Sequence, residues 1–287
     1  NKYTKLINLN ESLEGGGPTG TFVHATDDKL YGITIGGGTH NLGVLYQYDY
    51  LTNVYAKKFD FDSLDGYSMW GSLLQASNGK LYGTTVGGGA NKFGTLFEYD
   101  ITSNVFTKKL DFDGVAKGSY SRCVLIQASN GKLYGTTSGG GTNNAGVLYE
   151  YDITTDTYLK LFDFTLPNNG EQPSTLFQAS NGKLYGMAHG GGLYGNGSIF
   201  EYDIANNTLT KKVDFDGANK GSAPYGSLIE PVTGKLYGMT LAGGSAISYG
   251  ALFEYDFIND VYTKKIAFSG SSNGSFPNNS LMKASNN

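Results

Sequence analysis

A phrase of about fifty residues recurs five times along this chain, with its anchor tyrosine at Tyr31, Tyr82, Tyr134, Tyr185 and Tyr237. Successive copies lie 51 or 52 residues apart. Self-similarity at this period belongs to solenoids, propellers and arrays, in which each unit buries its apolar face against its neighbour. In the second copy the phrase runs from Ser72 to Asp113 and holds four short stretches rich in Leu, Tyr, Phe, Val and Thr, separated by turn residues. These stretches read as β-strands, and none reads as a helix. Four strands per repeat make one propeller blade, so the expected class is all-β, a β-propeller of four-stranded blades.

The turns agree with this reading. Asn78-Gly79, Asn130-Gly131 and Asn181-Gly182 join the first strand of a copy to its second, and Asn-Gly accepts the positive φ angles of a type I′ hairpin turn. Thr233-Gly234 and Asp27-Asp28 stand there in the last and first copies. The second strand runs into a glycine triplet, Gly36 to Gly38, Gly87 to Gly89, Gly139 to Gly141 and Gly190 to Gly192, reduced to Gly243-Gly244 in the fifth copy. Close packing of strand ends around a narrow axis is the expected reason for these glycines. The third strand then reads Val44 to Asp49, Thr95 to Asp100, Val147 to Asp152, Ser198 to Asp203 and Ala251 to Asp256, each ending in a turn-forming Asp.

One propeller domain over 1–287 is expected, with complete blades at about 21–61, 72–112, 124–164, 175–215 and 227–268. The phrase is broken at both ends. Residues 3–9 read as a fourth strand and 280–285 as a first strand, so they are expected to be the terminal strands of a sixth blade whose second and third strands are missing. That break, and a chain opening on Asn1, lead to the expectation of an excerpt from a longer chain.

Charged residues are 16% of the chain against roughly 25% in an average soluble domain, so Asn, Ser, Thr and Gly must supply the polar surface. Such a surface is common in secreted bacterial proteins. A net charge of -4 offers no basic field for a phosphate backbone, which argues against nucleic acid as a partner. No apolar run reaches the length of a transmembrane segment. The single Cys123 excludes an internal disulfide and a CxxC metal knuckle.

The segments G-K-L-Y-G-T-T-S-G-G-G (Gly131 to Gly141) and V-L-Y-E-Y-D-I-T-T-D-T-Y-L-K (Val147 to Lys160) resemble the kelch pattern, with Tyr55, Phe106, Tyr158, Leu209 and Tyr262 where kelch repeats carry tryptophan. They are more closely similar to the Gloeo/Verruco (GloVer) tandem repeat of exported bacterial proteins, and the resemblance covers all but the termini. It implies a bacterial, exported, often surface-anchored chain, frequently with a C-terminal sorting segment of the type 9 secretion kind. It transfers no catalytic residues.

Loops between second and third strands, and between a fourth strand and the next first strand, emerge on one face, and they vary where the strands do not. Binding residues belong on such loops. The candidates are His40, Lys92, Tyr194 and Tyr249 in the glycine-rich loops and Tyr67, Trp70, Tyr120, Arg122 and Tyr225 in the blade-to-blade loops, with Phe276 beside them. Planar aromatics among amides and hydroxyls suit a sugar ring, although aromatics at these places also wedge between blades. The glycine triplets lack the Lys-Ser/Thr and helix of a phosphate loop, so no cofactor is expected. The D-F-D segments (Asp60 to Asp62, Asp111 to Asp113, Asp214 to Asp216) read as strand alternation and turn formation in preference to calcium ligation, and no metal is expected. His24, His40 and His189 occupy different repeat positions, which argues against a triad or zinc site. Cys123 reads as a buried thiol beside Arg122, the only arginine.

Three functional expectations follow. The first is a non-enzymatic exported or cell-surface module that binds a glycan or a protein through one loop face. The second is a structural spacer or secretion-system cargo domain of a larger surface protein. The third is a polysaccharide-active lyase or hydrolase, which needs a convergent catalytic cluster where the sequence offers scattered singletons.

Overall fold

The computed structural model describes residues 5–7, 9–246 and 248–283. The fold is all-β: five sheets of four antiparallel strands, each in sequential order, the arrangement of propeller blades. The first sheet holds β1 (Gly16–His24), β2 (Leu30–Gly36), β3 (Val44–Asp49) and β4 (Val54–Asp60). The second holds β5 (Leu74–Gln75), β6 (Leu81–Thr84), β7 (Thr95–Asp100) and β8 (Val105–Asp111). The third holds β9 (Ile126–Gln127), β10 (Leu133–Thr136), β11 (Val147–Asp152) and β12 (Thr157–Asp163). The fourth holds β13 (Glu171–Gln178), β14 (Leu184–Gly190), β15 (Ser198–Asp203) and β16 (Thr208–Asp214). The fifth holds β17 (Ser222–Val232), β18 (Lys235–Ala242), β19 (Ala251–Asp256) and β20 (Val261–Ala267). Contacts divide the chain into two compact units, residues 1–114 with 118–127 and residues 115–117 with 128–287, so the division falls inside the third sheet, after β9.

One element runs against the sequence reading. Glu11–Glu14 form a single helical turn, α1, where no helix is expected. The amides of Leu13 and Glu14 donate to the Asn10 carbonyl, and the Glu14 carboxylate accepts from the Asn10 amide at 2.8 Å. A reciprocal closure of this kind stabilises one turn with no periodic apolar pattern to announce it. The strands expected over 3–9 and 280–285 fall partly outside the described residues, namely at 3, 4, 8, 284 and 285. Their described parts, 5–7, 9 and 280–283, are not in strands.

In the first unit the core joins Tyr31, Ile33, Leu45 and Phe61 to Leu73, Leu81, Phe97 and Tyr99. Phe59 stacks on Phe106 at 3.8 Å, and Phe61 meets Phe97 edge-on at 5.4 Å. In the second unit the same repeat positions meet again: Tyr185, Met187, Ile199 and Phe215 against Leu228, Leu236, Phe253 and Tyr255. Each fully buried side chain of this size contributes roughly 1.5–3 kcal/mol. Third strands are buried on both faces, which is why V-L-Y-Q-Y and T-L-F-E-Y lack the polar alternation of a half-exposed strand.

The glycine of L-Y-G has a definite cause. A Cβ at Gly83 would lie 2.5 Å from Cζ of Phe97, and at Gly186 it would lie 2.3 Å from Cζ of Phe200. In the first, second, fourth and fifth sheets the ring of the third strand crosses the glycine of the neighbouring second strand, so no larger residue fits there. The second and third glycines of the triplets turn the chain with positive φ, 78° and 76° at Gly88 and Gly89, and a Cβ at Gly89 would meet Asp111 Oδ1 at 2.4 Å. The expected close packing is seen at the second glycine, where a Cβ on Gly88 would lie 2.7 Å from the Cα of Gly66, and the handedness of the turn and a carboxylate cap add reasons of their own. The Lys-Lys doublet of the fourth strand also gains a reason. Between Leu96 and Phe97 the pairing shifts from Leu110 to Lys108, leaving Lys109 as a bulge, and the same irregularity returns in every sheet.

Candidate functional site

At the hairpin end of the sheets a network repeats. Tyr82 donates to Glu98 at 2.5 Å, Lys80 pairs with Glu98 at 2.7 Å, and Asn78 donates to the Tyr82 hydroxyl at 2.9 Å. Lys132, Tyr134, Asn130 and Glu150 repeat it, as do Lys183, Tyr185, Asn181 and Glu201. Burial opposes ionisation of Glu201, but the bonds from Lys183 and Tyr185 outweigh it and hold the carboxyl below its usual range. In the first sheet the carboxylate has moved: Gln47 stands in the Glu position and Asp27 in the Asn position, and Gln47 Nε2 donates to Tyr31 at 2.8 Å and to Asp27 at 3.2 Å. Every member has a partner, as a structural network requires.

The opposite end carries the loops. Asp60, Asp111, Asp163 and Asp214 each accept a backbone N–H from the glycine-rich loop above them, from Thr39, Ala90, Thr142 and Leu193 at 2.7–3.3 Å. Burial works against the Asp60 carboxylate, yet Lys57 and Thr39 hold it ionised below its ordinary value. The first Asp of the D-F-D segments is thus a loop cap. Asp62 and Asp216 cap the following turns through the amides of Leu64 and Asp65 and of Asn219 and Lys220. Among the described residues no group of three or more His, Cys, Asp or Glu is placed to hold a metal ion.

The candidates from sequence separate into two kinds. Tyr67 pairs its backbone with Gly87 and lays its half-buried ring against Gly87 and Gly88. Tyr120 donates its amide to the Phe93 carbonyl and meets the Phe93 ring edge-on at 5.7 Å, and Phe276 does the same with Tyr249 at 5.5 Å. These side chains brace one loop on the next, while Tyr120 remains 42% and Phe276 52% exposed. His189 lies edge-on to Tyr225 at 5.9 Å, and its buried Nδ1 has no hydrogen-bond partner. Lys92, at φ 67°, and His40 are exposed at loop tips, and Tyr194 is 57% exposed. Trp70 is 57% exposed, Tyr225 45%, and Arg122 is exposed as well. These three share one repeat position, five residues before Gln75, Glu230 and Gln127 respectively. In the first unit the positions adjoin, since a Cβ on Gly71, next to Trp70, would lie 2.5 Å from the carbonyl of Cys123, next to Arg122. His24 and His40 lie at opposite ends of the first sheet, His24 beside Tyr50 at 5.7 Å. Cys123 is buried, with Ser121 Oγ 3.6 Å from its sulfur.

Sequence reasoning missed one feature, a groove of about 850 Å³ in the first unit. It opens on the face of the first sheet that carries Phe22, Leu30, Gly32, Tyr46 and Tyr55, with Leu6, Ile7 and Leu9 opposite. Burial pushes the Tyr46 and Tyr55 hydroxyls above the usual phenol value.

The model of the Gloeobacter/Verrucomicrobia repeat matches residues 1–125 and again residues 116–287. The chain belongs to that family. No curated protein matches it significantly. This Gloeobacter/Verrucomicrobia repeat protein is similar in fold to the extracellular domain of the one-component system BT4673 from B. thetaiotaomicron, with a TM-score of 0.63 and 14% identity over 97% of the chain and 31% of the neighbour. It is also similar to the extracellular domain of the hybrid two-component system BT3049 from the same organism, with a TM-score of 0.59 and 15% identity over 95% of the chain and 32% of the neighbour. A third neighbour is the GH74 enzyme of Niastella koreensis, with a TM-score of 0.55 and 16% identity over 83% and 36%. The repeat protein thus spans about a third of each neighbour's length, and likeness at this identity establishes the blade fold alone. Among its described residues no helix is long and apolar enough to cross a membrane.

Proposed function

We propose that this repeat protein is a non-enzymatic, exported or cell-surface propeller module that binds a glycan or a protein through the loop face of its blades. The observation that carries the reading is the shared position of Trp70, Arg122 and Tyr225. One place in the repeat changes identity from copy to copy and is solvent-exposed in the second, third and fifth copies, where Trp70, Arg122 and Tyr225 stand, while Thr19 and Pro173 hold it half-buried and buried in the first and fourth. Exposed Trp and Tyr faces stack on the apolar face of a sugar ring, and an arginine donates to its hydroxyls or to an acidic substituent. Recurrent blades give recurrent shallow sites, which supports binding over catalysis. The extracellular setting of the two sensor domains named above supports export.

A glycan array probed with the purified chain tests this, alongside pull-down from bacterial surface extracts. Trp70→Ala and Tyr225→Ala should abolish retention of the bound species without shifting the melting temperature. Retained binding in both variants removes the aromatic face from the account, and no bound glycan or protein at all sinks the binding role. The edge-on pairs Phe93–Tyr120 and Tyr249–Phe276 favour a second reading, the spacer or cargo domain, because there the loop aromatics are spent on bracing.

A further inference from the structure

The two faces of a blade are not alike, and the first unit shows how they mate. The second sheet presents Leu73, Leu81, Phe97 and Tyr99, all at most 4% exposed, with Phe106 beside them. What buries them is the opposite face of the first sheet: Tyr31 and Ile33 from β2, Leu45 from β3, and Phe59 and Phe61 from the outer strand and its end. The first sheet presents its own copy of the receiving face, in which Phe22, Leu30, Tyr46, Tyr48 and Tyr55 stand where Leu73, Leu81, Phe97, Tyr99 and Phe106 stand in the second. These are the residues that line the groove. Phe22 is 53% exposed, against 4% for Leu73.

The groove is already half furnished. In repeat register Ile7 and Leu9 take the places of Phe59 and Phe61, and both line it. Among the described residues that line it none is a counterpart of Tyr31, Ile33 or Leu45, the contributions of a second and a third strand.

We propose that this groove is a docking site for a β-hairpin made of a second and a third repeat strand, added alongside the 5–9 segment and against the same face of the first sheet. Its Leu-Tyr-Gly strand would set a tyrosine and the residue two places on against Tyr46 and Tyr48, and its Leu-(Tyr/Phe)-Glu-Tyr strand would add the leucine. The occupant is specified by the mated interface on the other side of the same sheet, which joins identical repeat positions. A free two-stranded hairpin is marginal in water, so its ordering is coupled to docking and its affinity is reduced accordingly.

The test uses the full chain and a synthetic peptide with the sequence Lys80 to Asp100, which is one such hairpin. Titration followed by tyrosine fluorescence and calorimetry should show saturable one-to-one binding, and the melting temperature should rise with peptide concentration by mass action. A peptide carrying Tyr82→Ala and Leu96→Ala should bind at least about tenfold more weakly, having lost two anchors. Phe22→Ser in the protein, a change at a side chain already half in solvent, should weaken binding of the unaltered peptide with an unchanged far-ultraviolet spectrum. Absence of binding, or equal binding of both peptides, overturns the proposal. So does a concentration-dependent dimer of the chain alone that Phe22→Ser dissolves, since a second copy would then be the occupant.

Discussion

At the hairpin end of the second, third and fourth sheets, asparagine, lysine, tyrosine and glutamate meet with nearly the same distances, whereas at the loop end one shared place holds Trp70, Arg122 and Tyr225 in the second, third and fifth sheets. The difference follows from burial. Glu98 is 8% exposed, so its charge needs Lys80 and Tyr82 as fixed partners, and any copy that loses one is left with an uncompensated group. Trp70 faces water and binds nothing that the blade needs, so its identity is free to serve a ligand. Where the network does change, in the first sheet, two residues change together: the carboxylate passes from the third strand to the turn, at Asp27, and Gln47 becomes the donor.

The comparison makes quantitative claims. Glu98→Ala should cost about 2–3 kcal/mol by chemical denaturation, because the Lys80 ammonium and the Tyr82 hydroxyl lose a common acceptor. If Glu98→Ala proves no worse than Trp70→Ala, the distinction between the two ends collapses. Acid should act at the hairpin end. Hydrogen bonds from Tyr237 and Lys235 outweigh burial and hold the Glu254 carboxyl down to about 2, from an ordinary 4.5. A depressed folded value means the unfolded chain takes up its proton first. The contribution of Glu254 is therefore complete above pH 4.5 and is lost as pH falls toward 2, and Glu254→Gln should flatten the stability profile in that window. The exchange in the first sheet is open to a double-mutant cycle. Gln47→Glu alone sets a second carboxyl against Asp27, Asp27→Asn alone removes the only one, and the pair together should recover about 1 kcal/mol relative to their sum. The smallest effect belongs to the loop end, where Trp70→Ala and Arg122→Ala should each leave stability within about 0.5 kcal/mol. A larger loss for either would show that the exposed position carries structural load.

The period made the blades legible, and the Asn-Gly pairs marked the hairpins without giving their turn type: only the glycine takes positive φ, 81° at Gly79, where a type I′ turn needs both residues to. The glycines were legible as special but not as to why. The ring of Phe97 lies over Gly83 only once two strands are paired, and the Asp111 cap on the Ala90 amide, which crowds Gly89, spans 21 residues. The paired change at Asp27 and Gln47 was open to view by aligning the copies, since both depart from the repeat in the same copy. At the candidate site the sequence located the variable loops. It did not separate Tyr120, braced on Phe93, from Trp70, exposed at a neighbouring position, because that distinction depends on which loop lies against which. The groove escaped notice for a related reason: Ile7 and Leu9 read as strand residues, and the space before them belongs to no residue.

The ring over the glycine has an evolutionary side. In the second, fourth and fifth sheets the residue that needs room and the residue that yields it lie in the same copy, as Gly83 with Phe97, Gly186 with Phe200 and Gly238 with Phe253. A gene duplication that copies one period carries both halves of this fit at once, so a new blade arrives internally matched. Copy number can then drift by whole units while the loops diverge, and an array of this kind enlarges its repertoire of surfaces without renegotiating its interior.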